Sequence, residues 1–162
     1  MSKAFTKDEG EGSEAPVLPV GVPLPVGAKN YMTPEGANVL REQRRQALAE
    51  VERVRGLGQP AALTQAQERL RFLTERLEAL EEVAPPQAPV DRVRFGARIL
   101  AVDEDGQQRR YRIVGVDEAA PARGDVSWTS PIARALTGHE VGDEVQVRTP
   151  QGLLTLEIQA LS

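Results

Sequence analysis

The 162-residue chain contains no cysteine. That excludes disulfides, thiolate metal sites and cysteine nucleophiles together, and it fits a reducing compartment. Aromatic residues make up only 4% of the chain, so its core must be built from Leu, Val, Ile and Ala. The single histidine, His139, cannot form a multi-histidine metal site. The formal net charge is −4, which leaves no sequence-wide positive surface for a nucleic-acid backbone. No apolar run approaches the roughly 20 residues of a membrane span, and the N-terminus has no signal-peptide core. Nucleotide-loop glycine patterns, H-E-x-x-H and G-x-S-x-G are also missing. These absences predict a cytoplasmic monomer that needs no cofactor or metal, leaves free DNA and membranes alone, and is no enzyme.

What is present divides into four stretches. Residues 1–30 read as a disordered tail. Met1 to Glu14 is charged and glycine-bearing, and Ala15 to Gly27 is proline-rich, with Leu-Pro-Val-Gly at 18–21 and again at 24–27. Proline fixes φ and lacks an N–H donor, so this part favours extended chain, either as a spacer or as a docking ligand. Residues 31–83 read as an antiparallel helical hairpin of coiled-coil type. Thr33-Pro34-Glu35 supplies a cap, a proline for the first helical position and an acid for the positive end of the dipole. Ala37, Leu40, Arg44, Ala47, Val51 and Val54 then recur at spacings of three and four. After Gly56-Leu57-Gly58-Gln59-Pro60, Leu63, Ala66, Leu70, Leu73, Leu77 and Leu80 repeat the pattern. Each arm is about 30–35 Å long at 1.5 Å per residue. Glu42, Arg45, Glu52, Arg53, Glu68, Arg71, Glu75 and Arg76 fall off the two seams and read as solvated faces.

Ala84-Pro85-Pro86-Gln87-Ala88-Pro89 breaks the helix, and residues 84–90 form the expected linker. From 91 to 162 the pattern turns to β. Strands are expected at Val93–Val102, Gln107–Val116, Asp125–Trp128, Asp143–Arg148 and Leu153–Leu161, with one short helix from Pro131 to Leu136 capped by Ser130. Asp103-Glu104-Asp105-Gly106 reads as a solvated hairpin tip and Arg109, Arg110 and Arg112 as a small basic strand edge. The fold class is α+β: a helical hairpin followed by a small antiparallel-sheet domain.

Several short motifs in the second half carry a resemblance. Phe95-Gly96-Ala97, Tyr111-Arg112-Ile113-Val114-Gly115 with Asp117-Glu118, Ser130-Pro131-Ile132-Ala133-Arg134-Ala135-Leu136, Gly142-Asp143 and Thr149-Pro150-Gln151-Gly152 occur in that order. Together they resemble the C-terminal domain of the GreA/GreB transcript-cleavage factors. Met32-Thr33-Pro34-Glu35-Gly36 and Arg71-Phe72-Leu73-Thr74 are similar to that family's hairpin. The resemblance implies an FKBP-like C-terminal domain that grips the rim of RNA polymerase's secondary channel while the hairpin enters it. It also implies that Trp128, Thr129, Ser130, Pro131 and Arg134 contact the polymerase.

One departure bears on activity. In the family the hairpin tip carries an acidic Asp-x-x-Glu-Asn motif that helps hold a catalytic Mg²⁺ in the polymerase, and carboxylate oxygens suit that hard cation. Here the tip residues Leu57, Gly58, Gln59 and Pro60 include no carboxylate. The arms are also shorter than the family's by roughly eight to ten residues each, or about 12–15 Å. A regulator that modulates transcription without stimulating cleavage is expected. A working cleavage factor is the alternative, and a peptidyl-prolyl isomerase drawing on Phe95, Tyr111 and Trp128 is a third reading.

Overall fold

The structure is a computed structural model, and it describes residues 22–162. The charged and proline-rich stretch up to residue 21 therefore lies outside the described residues.

The first regular element is a short strand, β1 (Asn30–Met32), followed at once by helix α1 (Pro34–Arg55). Thr33 caps α1 as its spacing predicts: its side chain accepts a hydrogen bond from the Gly36 N–H at 3.1 Å. The chain reverses over residues 56–59, where Gly58 takes a left-handed φ of 63°, and helix α2 (Pro60–Glu78) runs back along α1. Strand β2 (Leu80–Glu82) then pairs with β1 in parallel, Tyr31 opposite Glu81, and closes the base of the hairpin. This two-stranded sheet takes Leu80 out of the helical seam in which its spacing placed it.

Ala37, Leu40, Ala47, Val51 and Val54 of α1 are buried against α2, as are Ala66 and Leu73 of α2, so the three-and-four spacing does mark the seam. Arg44 departs from it. Its stem lies at the seam's edge, it is exposed, and its Nε donates to Thr74 Oγ1 at 3.3 Å. Among the charges read as solvated, Arg76 is the exception: it is buried.

The second half forms a five-stranded sheet from β3 (Arg98–Asp103), β4 (Gln108–Val114), β5 (Asp125–Ser127), β6 (Glu144–Thr149) and β7 (Gly152–Leu161), in the order β5-β4-β3-β7-β6. Helix α3 (Pro131–Leu136) packs beside it, with Ser130 Oγ accepting from the Ala133 N–H at 3.2 Å. Val93, Ile99, Ile113, Leu136, Leu156 and Ile158 are central to one buried core between sheet and helix. The expected all-antiparallel sheet needs correction, because β5 runs parallel to β4. Between them the chain crosses over through two 3₁₀ turns, Val116–Glu118 and Pro121–Arg123, and re-enters in the same direction. The α+β architecture stands, with a curled, mixed sheet. The first expected strand also starts late, at Arg98, because Gly96 turns the chain at φ 82°. A side chain at 96 would meet Pro85 Cα at 2.9 Å, so the proline stretch packs on the second half. Among the described residues no helix is long and apolar enough to cross a membrane.

Leu40 is fully buried between the helices, whereas Leu57 at the tip is 53% exposed. Leu40→Ala is expected to cost about 2–5 kcal/mol in urea unfolding, and Leu57→Ala under about 0.5.

Candidate functional site

The tip residues lie together at the far end of the hairpin. Leu57 N–H donates to Val54 O at 3.0 Å, and Leu63 N–H to Gln59 O at 3.0 Å. Gln59 occupies the cap position of α2 without a side-chain capping bond, and the first turn holds no acid. The end of the hairpin thus carries no carboxylate; of the acids flanking it, Glu52 pairs with Arg55 at 3.1 Å and Glu50 with Arg53 at 2.6 Å, while Glu68 on α2 is exposed. Among the described residues no group of three or more His, Asp or Glu side chains is placed to hold a metal ion.

At the other end, a buried polar knot ties the hairpin to the second half. Arg76 on α2 faces Asp117 at 3.4 Å, and both side chains are under a tenth exposed. Asn30 Nδ2 donates to Asp117 Oδ2 at 3.0 Å and to the Arg76 carbonyl at 3.2 Å. Arg76 also donates to the Val22 carbonyl and stacks over the Phe72 ring at 5.0 Å. Beside it, Glu118 accepts from Thr33 N–H at 3.0 Å, from the Thr33 hydroxyl, and from Gly115 N–H at 2.9 Å. Two glycines make this approach possible. A methyl at Gly36 would sit 2.1 Å from Glu118 Oε1, and one at Gly115 would sit 2.2 Å from the Tyr31 carbonyl. Arg112, on β4, reaches across to Glu35 at 3.1 Å. The Glu35 carboxyl is held below its ordinary value, chiefly by its own backbone N–H and then by Thr33 and Arg112.

Of the residues expected to face a polymerase, Trp128 and Arg134 line one hollow of about 560 Å³, together with Tyr31, Val83, Phe95, Ile113 and Thr137. Tyr31 packs edge-on against Trp128, with ring centroids 5.6 Å apart and planes at 82°. The Trp128 Nε1 donor is enclosed and has no acceptor. Pro131 is exposed at the start of α3. Ser130 and Thr129 are half-buried and occupied locally, Ser130 by the cap and Thr129 by a 2.7 Å hydroxyl contact with Ser127. Tyr111 does not line this hollow. The sequence reading missed Tyr31 and Val83, which come from the hairpin's base. The signal available was Tyr31 beside the Met32-Thr33-Pro34 helix start.

The turn after β3 also differs from its solvated reading. Asp103 is buried, and its carboxylate accepts from Gln107 N–H at 2.9 Å, Asp105 N–H at 3.1 Å and Arg109 Nε at 3.0 Å. These donors, Gln107 N–H foremost, hold its carboxyl below the ordinary aspartate value.

The model of the family described as "Transcription elongation factor, GreA/GreB, C-term" matches residues 87–162. Transcription elongation factor GreB of Neisseria meningitidis serogroup B is 34% identical over 149 residues, which cover 80% of this chain and 91% of that protein. The chain belongs to the GreA/GreB family. GreB of Haemophilus influenzae is 44% identical over 99 residues, 61% of this chain and 63% of its own length. The chain thus spans about three fifths of that relative. A solved structure, GreA factor homolog 1 (Gfh1) of Thermus thermophilus, aligns with 83% of this chain and 99% of its own at 22% identity and a TM-score of 0.42.

Membership corrects one expectation. Its residues predict that the chain is no enzyme; its relatives are named transcription elongation factors GreB and GreA, and membership of that family withdraws the exclusion.

Two outcomes test this geometry. Asp117→Leu leaves a buried guanidinium unpaired and is expected to cost about 3–5 kcal/mol, whereas pairing it with Arg76→Met recovers much of the loss in a double-mutant unfolding cycle. Asp103 contributes stability above its unfolded pKa that is lost as pH falls through the lower folded value. The protection of the Asp105 and Gln107 amides against hydrogen exchange, taken relative to their intrinsic rates at each pH, is therefore expected to fall below about pH 4, and Asp103→Asn abolishes that pH step.

Proposed function

We propose that this chain binds RNA polymerase in the cytoplasm, as a monomer, and modulates transcription elongation. In this reading the second half grips the rim of the secondary channel through Trp128, Thr129, Ser130, Pro131 and Arg134, and the hairpin enters the channel. The observation that carries it is the buried knot. It holds α1, about 33 Å long, in a set direction from the same body that presents Pro131 and Arg134. A probe delivered into a channel needs a rigid base, because a swivelling arm loses entropy on entry. Thr129 and Ser130 act by shaping this surface, since their hydroxyls are already engaged.

The neutral tip sets the strength of any cleavage effect. Leu57, Gly58, Gln59 and Pro60 offer no carboxylate to a Mg²⁺ in the polymerase, so transcript cleavage is far weaker than an acid-tipped factor gives. A full cleavage factor that rescues arrested complexes is the second reading, favoured by the identity to GreB.

The test is a binding and cleavage assay on core RNA polymerase and a backtracked complex. Arg134→Glu and Pro131→Ala, both at exposed positions, are expected to weaken binding about tenfold or more without lowering Tm. Wild type is expected to leave most transcripts at full length. Binding unchanged by both substitutions removes the docking assignment, and rapid transcript shortening by wild type establishes the second reading.

A further inference from the structure

The arginines on β4 do not act as one strand edge. Arg109 turns toward the core side and is held by Asp103 at 3.0 Å. Arg110 and Arg112 point to the opposite face, as alternation along a strand requires. There they meet Arg98, which stands directly opposite Arg112 in the β3–β4 register, with Leu100 opposite Arg110. Arg123 joins them from the crossover. Gly124, at φ 84°, lies so close to β4 that a side chain there would meet the Arg110 carbonyl at 2.2 Å. The four arginines line a hollow of about 340 Å³, together with Leu100, Asp125, Ala160 and Ser162.

Like charges placed directly opposite each other on a sheet are destabilising, and this face carries that cost with little relief. Asp125 serves Arg123 at 3.3 Å, and Glu35 serves Arg112 at 3.1 Å. Among the described residues no Asp or Glu side chain pairs with Arg98 or Arg110; the Arg98 N–H donates to the Ser162 oxygen at 2.7 Å beside the same hollow. Arg112 Nε is enclosed and has no acceptor. Arg98 and Arg110 stand on the diagonal of the register, about 7–8 Å apart at the backbone, so two long side chains can converge on one small anion. Guanidinium forks match phosphate oxygens in pairs.

From this arrangement we infer a binding site for a small diphosphate-bearing ligand, a nucleoside polyphosphate or pyrophosphate itself. One phosphate bridges Arg98 and Arg112, and the second reaches Arg110 and Arg123. The hollow is within the size range of a small-molecule site, and the chain's net charge of −4 disfavours a long polyanionic strand. The site is separate from the Trp128–Arg134 hollow and does not depend on the docking reading.

The experiment is calorimetric titration of the full chain with pyrophosphate, a nucleoside triphosphate and a short single-stranded RNA at about 0.15 M salt. Saturable one-to-one binding of pyrophosphate and of the triphosphate in the micromolar range is expected. Arg98→Gln and Arg110→Gln each weaken it about tenfold while slightly raising the Tm of the unliganded chain, since each relieves repulsion. Arg148→Gln, at an exposed position on β6, leaves it unchanged. No binding at millimolar pyrophosphate, or binding indifferent to Arg98→Gln and Arg110→Gln, overturns the inference. RNA binding tighter than pyrophosphate through the same arginines overturns it too, in favour of a strand backbone.

Discussion

A buried ion pair holds this molecule's two halves in register. Arg76 leaves α2 and Asp117 leaves the first crossover turn, and both side chains are under a tenth exposed. Two such charges are tolerated only if each finds close partners, because the desolvation cost falls on both. Asn30 donates to the aspartate, the Val22 carbonyl accepts from the guanidinium, and the Phe72 ring lies beneath it. Three separate stretches of chain must therefore arrive together to make these bonds, and Arg76 Nε and Asn30 Oδ1 remain without a partner even then. This all-or-none demand is the physical reason the hairpin has a defined direction. Apolar packing alone specifies direction poorly, since it is non-directional.

The neighbouring Glu118 adds a second tie. Its carboxylate joins the cap of α1 at Thr33 to the Gly115 amide at the end of β4. The helix that forms the long arm thus starts from a point fastened to the sheet. Gly36 and Gly115 fall where the two surfaces touch: a side chain at Gly115 would run into the Tyr31 carbonyl, and one at Gly36 would displace the Glu118 carboxylate. Glycines in the motifs that resemble the family have a steric cause here: the closeness of hairpin and sheet.

Function-bearing groups are spread over both halves in a way that follows from this fastening. The far end of the hairpin carries no carboxylate, and the α1 acids flanking it form exposed pairs with arginines on the same helix. The sheet domain presents an aromatic hollow on one side and an arginine-lined hollow on another. Tyr31 reaches Trp128 only because β1 pairs with β2 at the hairpin base and is held against the second half.

Much of this was legible in the residues. Helical spacing named Leu40, Ala47, Val51 and Leu73 as seam residues, because periodic burial leaves a periodic imprint on one chain segment. Thr33 and Ser130 were readable as caps, since a capping bond reaches only three residues along the chain. What escaped were the contacts between the hairpin and the sheet domain and the pairings that no simple hairpin links. Arg76 sat where a solvated charge belongs, and its partner lies 41 positions on, in a turn of no regular period. The parallel pairing of β5, the little sheet of β1 with β2, and the gathering of Arg98 and Arg123 beside Arg110 and Arg112 are of the same kind. The sequence by itself determined the elements, their caps and the charge of the tip, because these depend on neighbours a few residues away. Only the tertiary structure decided which charges are buried, which way the hairpin points and which arginines share a face, because those depend on distances no local pattern encodes.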